Sequence, residues 1–124
     1  MTSQTVAAFY AALAMLPVAM HLGLAVGAPL GRFTVGGRFP ERLPPLWRLL
    51  ALVQAALLVG MAIAILDRGA VLDFDLPTPA FWLALALTVL STIANGVSPS
   101  RPERLLWTPV LLAMSAAAIG VALR

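Results

Sequence analysis

L-L-A-L-V-Q-A-A-L-L-V-G-M-A-I-A-I-L, Leu49 to Leu66, is a run of 18 residues with no charge and one strongly polar side chain, Gln54. A helix rises about 1.5 Å per residue, so roughly 20 such residues cross the hydrocarbon layer of a bilayer. A run this apolar on every face has no stripe to turn toward water, which reads as a membrane span rather than a surface helix. Working outward, three more charge-free stretches of similar length appear, giving spans at about 6–28, 46–66, 76–98 and 105–123. Breakers fill the gaps: Gly31, Gly36, Gly37, Pro40, Pro44 and Pro45, then Gly69, Pro77 and Pro79, then Pro99 and Pro102. The expected fold is an all-α membrane protein, a four-helix transmembrane bundle in one domain covering residues 1–124.

Composition agrees. Of 124 residues, 61% are apolar and 10% charged, where soluble domains carry about 25% charge. Four spans leave no room for a soluble domain, and a chain this short has too little interior to hide that much apolar surface. A soluble enzyme, a nucleic-acid binder and a disulfide scaffold are excluded. With no cysteine, thiolate metal sites and thiol redox chemistry are excluded as well. The net charge of +3 comes from dispersed Arg residues, not a basic run.

Those Arg residues set an expected orientation. Arg32, Arg38, Arg42 and Arg48 flank loop 1 and Arg101 and Arg104 flank loop 3, against Arg68 and Arg124 on the other side. Positive charge stays on the cytoplasmic side, so loops 1 and 3 are expected in the cytoplasm and both termini outside, in the cell inner membrane. Met1 to Thr5 carry no Lys or Arg, unlike the start of a cleaved signal peptide, so span 1 is expected to be retained. Trp47, Trp107 and Trp82 lie near span ends, where aromatic anchors collect.

Inside the spans the polar inventory is short. His21 on span 1, Gln54 on span 2 and Asn95 on span 3 each fall roughly 4 to 12 Å from the same end by helical rise. At 100° per residue, Thr88, Ser91, Thr92, Asn95 and Ser98 share one side of span 3, with Leu83, Leu90, Ile93 and Val97 on the other. Polar groups in hydrocarbon need partners, so this stripe is expected to face inward. His21, Gln54, Asn95, Ser91 and Thr92 are therefore the candidate ligand-binding cluster. Two accounts stand side by side: interhelical glue at about 0.6 kcal/mol per bond, or a cavity open to the cytoplasm holding a ligand head group or a proton. A haem or metal ligated by His21 needs a second ligand, which only a homodimer would supply. No catalytic residue, metal or cofactor is expected.

The loops carry the charge. Arg32, Arg38, Arg48, Arg101 and Arg104 are candidates for contacts to lipid head groups or phosphate. Gly23, Gly27 and Gly31 form two G-x-x-x-G steps, and Ala113, Ala117, Ala116 and Gly120 give similar pairs on span 4, for packing within the bundle or a dimer seam. Pro17 removes a backbone donor, freeing the carbonyl of Leu13 as an acceptor inside the bundle. Pro40-Glu41-Arg42-Leu43 recurs as Pro102-Glu103-Arg104-Leu105, each followed by a Trp. Either the match is coincidence in an Arg-, Leu- and Pro-rich chain, or tandem helical hairpins related by an axis along the membrane normal place Glu41 and Glu103 equivalently, in the first turn of spans 2 and 4 or just before it.

The stretches H-L-G-L-A-V-G-A-P-L-G-R-F-T-V-G-G (His21–Gly37), L-P-P-L-W-R (Leu43–Arg48) and N-G-V-S-P-S-R-P-E-R-L-L-W-T-P-V (Asn95–Val110) resemble a group of small four-span bacterial membrane proteins of unassigned function. The resemblance implies the fold and no activity. Small multidrug exporters carry a carboxylate in span 1, which this chain lacks; quinone-linked disulfide-forming proteins need cysteines; the motifs of the fluoride channels cannot be placed. The expected function is non-catalytic: binding a lipid or other apolar ligand, or serving as an accessory subunit, alone, as a homodimer or in a larger membrane complex. The alternative is a dimeric small-solute transporter or channel.

Overall fold

The computed structural model describes residues 1–124. Four helices form, α1 (Ser3–Ala25), α2 (Pro45–Arg68), α3 (Thr78–Gly96) and α4 (Arg101–Ala122), with two single 3-10 turns, Gly31–Phe33 and Val35–Gly37, between α1 and α2. Each helix is long and apolar enough to cross a membrane. The chain is a multi-pass integral membrane protein built as a four-helix bundle.

Local chemistry sets the ends. Thr2 caps α1 by accepting the Thr5 N–H, and Pro45 opens α2 at a position that needs no N–H donor. The chain leaves α1 through Gly27, whose φ of +93° suits only glycine. Hence α1 stops before two of the three glycines of the expected G-x-x-x-G ladder. Gly31 sits in loop 1, where a Cβ would lie 1.6 Å from the Phe39 carbonyl oxygen. These glycines serve the loop and form no helix seam. On α4, Ala117 is buried within the bundle and Gly120 packs near Val6, so that stripe is largely used internally.

The sequence predicts a start for span 4 at about Leu105, but α4 begins four residues earlier, at Arg101. Ser100 is its N-cap, accepting the Glu103 N–H at 3.4 Å, and Pro102 lies in the first turn. Arg101 and Arg104 thus belong to the helix, and α3 and α4 are joined by the short turn 97–100. Ser100–Glu103 has the S-x-x-E pattern of a capping box, the sequence signal for this start.

Sequential neighbours pack antiparallel and α4 closes the ring against α1, while α2 and α3 touch least of the adjacent pairs. A diagonal contact crosses the centre: the Tyr10 hydroxyl meets Thr88 Oγ1 at 2.7 Å, both side chains fully buried. Val6, Tyr10, Leu58, Ile65, Phe81, Met114 and Ala118 fill the half of the bundle around and beyond that bond, toward loop 2. The polar stripe of α3 faces inward as its spacing predicts, while Leu83, Leu90, Ile93 and Val97 are exposed to the bilayer.

Loop 1 folds back over the opposite end. The Gly31 N–H donates to the Glu41 carbonyl at 2.8 Å and the Arg32 N–H to the Pro40 carbonyl at 3.1 Å, closing the loop on itself. The start of α4 then fastens it. Trp107 Nε1 donates to the Phe33 carbonyl (3.0 Å), Ser100 Oγ to the Arg32 carbonyl (2.6 Å), and the Gly36 N–H to the Glu103 carboxylate (2.9 Å). Trp107 is therefore 6% exposed and lies under loop 1, not in an interfacial belt. The two P-E-R-L copies are also not equivalent. Glu103 is in the first turn of α4, whereas Glu41 is exposed in the loop, ahead of the Pro44 cap of α2.

Candidate functional site

Between the packed half and loop 1 lies a partly open cavity of about 260 Å³. This is room for several water molecules or a small organic group. Its position follows from the sequence. Bulky side chains fill the core as far as Leu58 and Leu111, and beyond them the helices carry Ala51, Ser91 and Asn95, leaving space that Phe33, Thr34 and Val35 of loop 1 cover from above. The cavity is partly open, and on the α2 side its wall includes Leu50, which is 44% exposed.

His21, Gln54, Ser91 and Asn95 all line this space, joining three helices in one cluster at the loop-1 end. Thr92 does not. Its hydroxyl donates to the Thr88 carbonyl of its own helix (2.8 Å) and faces α4, where it lies 2.8 Å from Ser115 Oγ and 3.2 Å from the Leu111 carbonyl. It is an interhelical fastening, the glue role weighed for the whole cluster.

The hydrogen bonds define what the cavity offers. His21 Nδ1 lies 2.7 Å from the Pro17 carbonyl. A carbonyl oxygen only accepts, so Nδ1 carries the proton and the neutral ring presents Nε2 as an acceptor. His21 takes the carbonyl of Pro17 itself, not the Leu13 carbonyl freed by the proline. Asn95 Nδ2 donates to the Ser91 carbonyl at 2.8 Å, which leaves its Oδ1 as the free acceptor. Gln54 makes no hydrogen bond within the protein.

None of the five candidate Arg residues lines the cavity. Arg48 Nε donates to the Leu43 carbonyl (2.8 Å), and its guanidinium rests against Gly27. Arg104 donates to the Ser98 carbonyl (2.6 Å). Arg32 lies over the Phe33 ring and Arg38 over Phe39 and Trp47, and both are exposed at the rim with Arg101. They ring the end of the bundle without entering it.

The charge that does reach the cavity is absent from the candidate cluster: Glu103, 8% exposed and lining the space with Trp47 and Trp107. In the sequence Glu103 reads as a helix-start charge of the P-E-R-L repeat and the two Trp as interfacial anchors. Only loop 1 folding over the start of α4 turns all three into walls. Val35, at φ 52°, is in a conformation that a β-branched residue rarely adopts, and it sits in the turn whose Gly36 N–H is held by Glu103. No cluster of His, Asp and Glu with the makings of a metal site is present. The cavity is a neutral-to-acidic, aromatic-walled pocket with unpaired acceptors. Comparison with protein-family models, with curated proteins and with solved structures finds no match to this chain.

Proposed function

We propose that the protein binds an amphipathic molecule in this cavity, its polar head at His21, Gln54 and Asn95 and its apolar tail passing beside Leu50 into the bilayer. The observation that carries this is the unpaired polar lining. An amide and an imidazole nitrogen at membrane depth, left without protein partners, cost free energy until water or a ligand pairs them. A cavity of mixed lining at helix–helix junctions, closed on one side and open on the other, is the usual form of a small-molecule site. The filled half around Tyr10 and Met114 supports binding over a pore running the length of the bundle.

The six Arg residues collected at the loop-1 end favour that end as cytoplasmic, with Arg32, Arg38 and Arg101 at the level of lipid phosphates. Bound ligand would then be presented at the inner leaflet, directly or to a partner protein.

Trp47 and Trp107 line the cavity and Trp82 lies at the far end, so the Trp82→Phe protein reports on the site by its own fluorescence. In nanodiscs, an amphiphile that fits should shift that emission saturably, and Ser91→Phe, which fills the space, should abolish the shift. If cationic, anionic and neutral amphiphiles all leave the emission unchanged, the proposal fails.

A further inference from the structure

Resting on that proposal, we infer the ligand class: the cavity accepts an organic cation, an ammonium head on an alkyl or aryl tail. Glu103 is the only charged side chain that lines the cavity. Its burial is nearly complete, with the Gly36 N–H on one carboxylate oxygen and no protein partner on the other. A buried carboxylate is costly unless neutralised. The Gly36 donor and the first turn of α4 offset part of its charge, the latter equivalent to about half a unit at most. The rest has no counter-charge in the site, because the Arg residues at this end are engaged with carbonyls and rings or exposed at the rim.

The neutral lining points the same way. His21 Nε2 is an acceptor by elimination, since Nδ1 donates to the Pro17 carbonyl, and Asn95 Oδ1 is an acceptor with no protein partner. The donors present, on Gln54, Ser91 and Asn95 Nδ2, are uncharged, and an anionic head placed among them would meet the Glu103 carboxylate. A cationic head needs negative potential and aromatic faces: Glu103 and the acceptor atoms supply the first, and Phe33, Trp47 and Trp107 the second. The same chemistry would recognise a choline-type lipid head group or a free cationic amphiphile.

The test uses hexyltrimethylammonium, hexanol and hexyl sulfate as probes, sharing a chain and differing in head charge, with the Trp47 and Trp107 emission as readout in nanodiscs. Hexyltrimethylammonium is expected to bind at least about tenfold more tightly than the other two. Glu103→Gln retains an oxygen to accept the Gly36 N–H, so loop 1 stays fastened, yet it should bring the ammonium affinity down to that of hexanol. Equal binding of all three probes, or Glu103→Gln within about twofold of the unaltered protein, overturns the assignment and leaves the amphiphile site standing. Silence toward all three removes the site itself. The probe comparison needs no variant, so a failure of Glu103→Gln to fold leaves the assignment testable. Native mass spectrometry from nanodiscs of mixed phosphatidylcholine and phosphatidylglycerol separates the sources. Retention of phosphatidylcholine by the unaltered chain and not by Glu103→Gln assigns a lipid head group, and retention of neither lipid assigns a free ammonium compound.

Discussion

The diagonal bond between α1 and α3 makes a quantitative prediction. Thr88 Oγ1 already donates its proton to the Ala84 carbonyl at 2.7 Å, so in the contact with Tyr10 the phenol is the donor and Thr88 the acceptor. The two partners are therefore unequal. In Tyr10→Phe the donor disappears and Thr88 keeps its bond to Ala84, so the loss is that of one hydrogen bond, about 0.5–1.5 kcal/mol, with membrane proteins at the low end. In Thr88→Val the phenolic O–H stays at the bundle centre with nothing to donate to, and the cost rises to about 1–3 kcal/mol. The double variant strands no polar group and should be no less stable than Thr88→Val alone. Unfolding by sodium dodecyl sulfate titrated into mixed micelles, followed by tryptophan emission, gives all four corners of the cycle. If Tyr10→Phe proves more damaging than Thr88→Val, or the two losses simply add, the assignment of donor and acceptor is wrong.

Loop 1 and the membrane orientation supply the others. Gly31→Ala forces a methyl against the Phe39 carbonyl and should open the pairing of 31–32 with 40–41, costing about 2–3 kcal/mol in the same titration, the scale of an overpacked site. Trp107→Phe leaves the Phe33 carbonyl without its donor. A loss of about 1 kcal/mol there should raise the rate of trypsin cleavage at exposed Arg38 roughly fivefold, and an unchanged rate would show that Trp107 does not fasten the loop. Because the chain has no cysteine, Glu41→Cys and Asp73→Cys introduce single exposed labels at opposite ends of the bundle. An impermeant maleimide added to intact cells should modify Asp73→Cys and spare Glu41→Cys, and the reverse pattern would invert the orientation proposed from the Arg residues.

How much of this was legible in advance depended on the range of the interaction. Hydrophobic spacing is local, so Leu49 to Leu66 announced a span, and the alternation of Thr88, Ser91 and Asn95 with Leu83, Leu90 and Val97 oriented α3 correctly. Helix ends are also local, and Ser100–Glu103 carried the signal for the start of α4, masked by the two prolines and two arginines around it. What could not be read was where loop 1 goes. Its course rests on bonds between residues some seventy positions apart, such as Trp107 to Phe33 and Gly36 to Glu103. No periodicity encodes them. The Arg residues show the same limit. Charge predicts which end of a helix meets water or phosphate, but says nothing about whether a guanidinium turns into a cavity or back onto its own loop, as Arg48 does on Leu43.

The unequal fates of the two P-E-R-L segments show how the same residues become a scaffold in one place and a site in the other. In both copies a proline precedes a glutamate that could sit at a helix start, where the dipole favours it. The first copy is followed by Pro44-Pro45, so α2 cannot begin until after it, and the backbone of that copy is spent on closing loop 1: the carbonyls of Pro40 and Glu41 accept from Arg32 and Gly31. Its side chain is left in water. The second copy follows a short turn capped by Ser100, so Glu103 enters the first turn of α4, and the loop built by the first copy comes down on top of it. One segment thus makes the cover, and the other places a carboxylate beneath it. A chain with two equally short turns would have the same four spans and no sheltered charge, so the cavity and its acidity follow from the length and closure of loop 1.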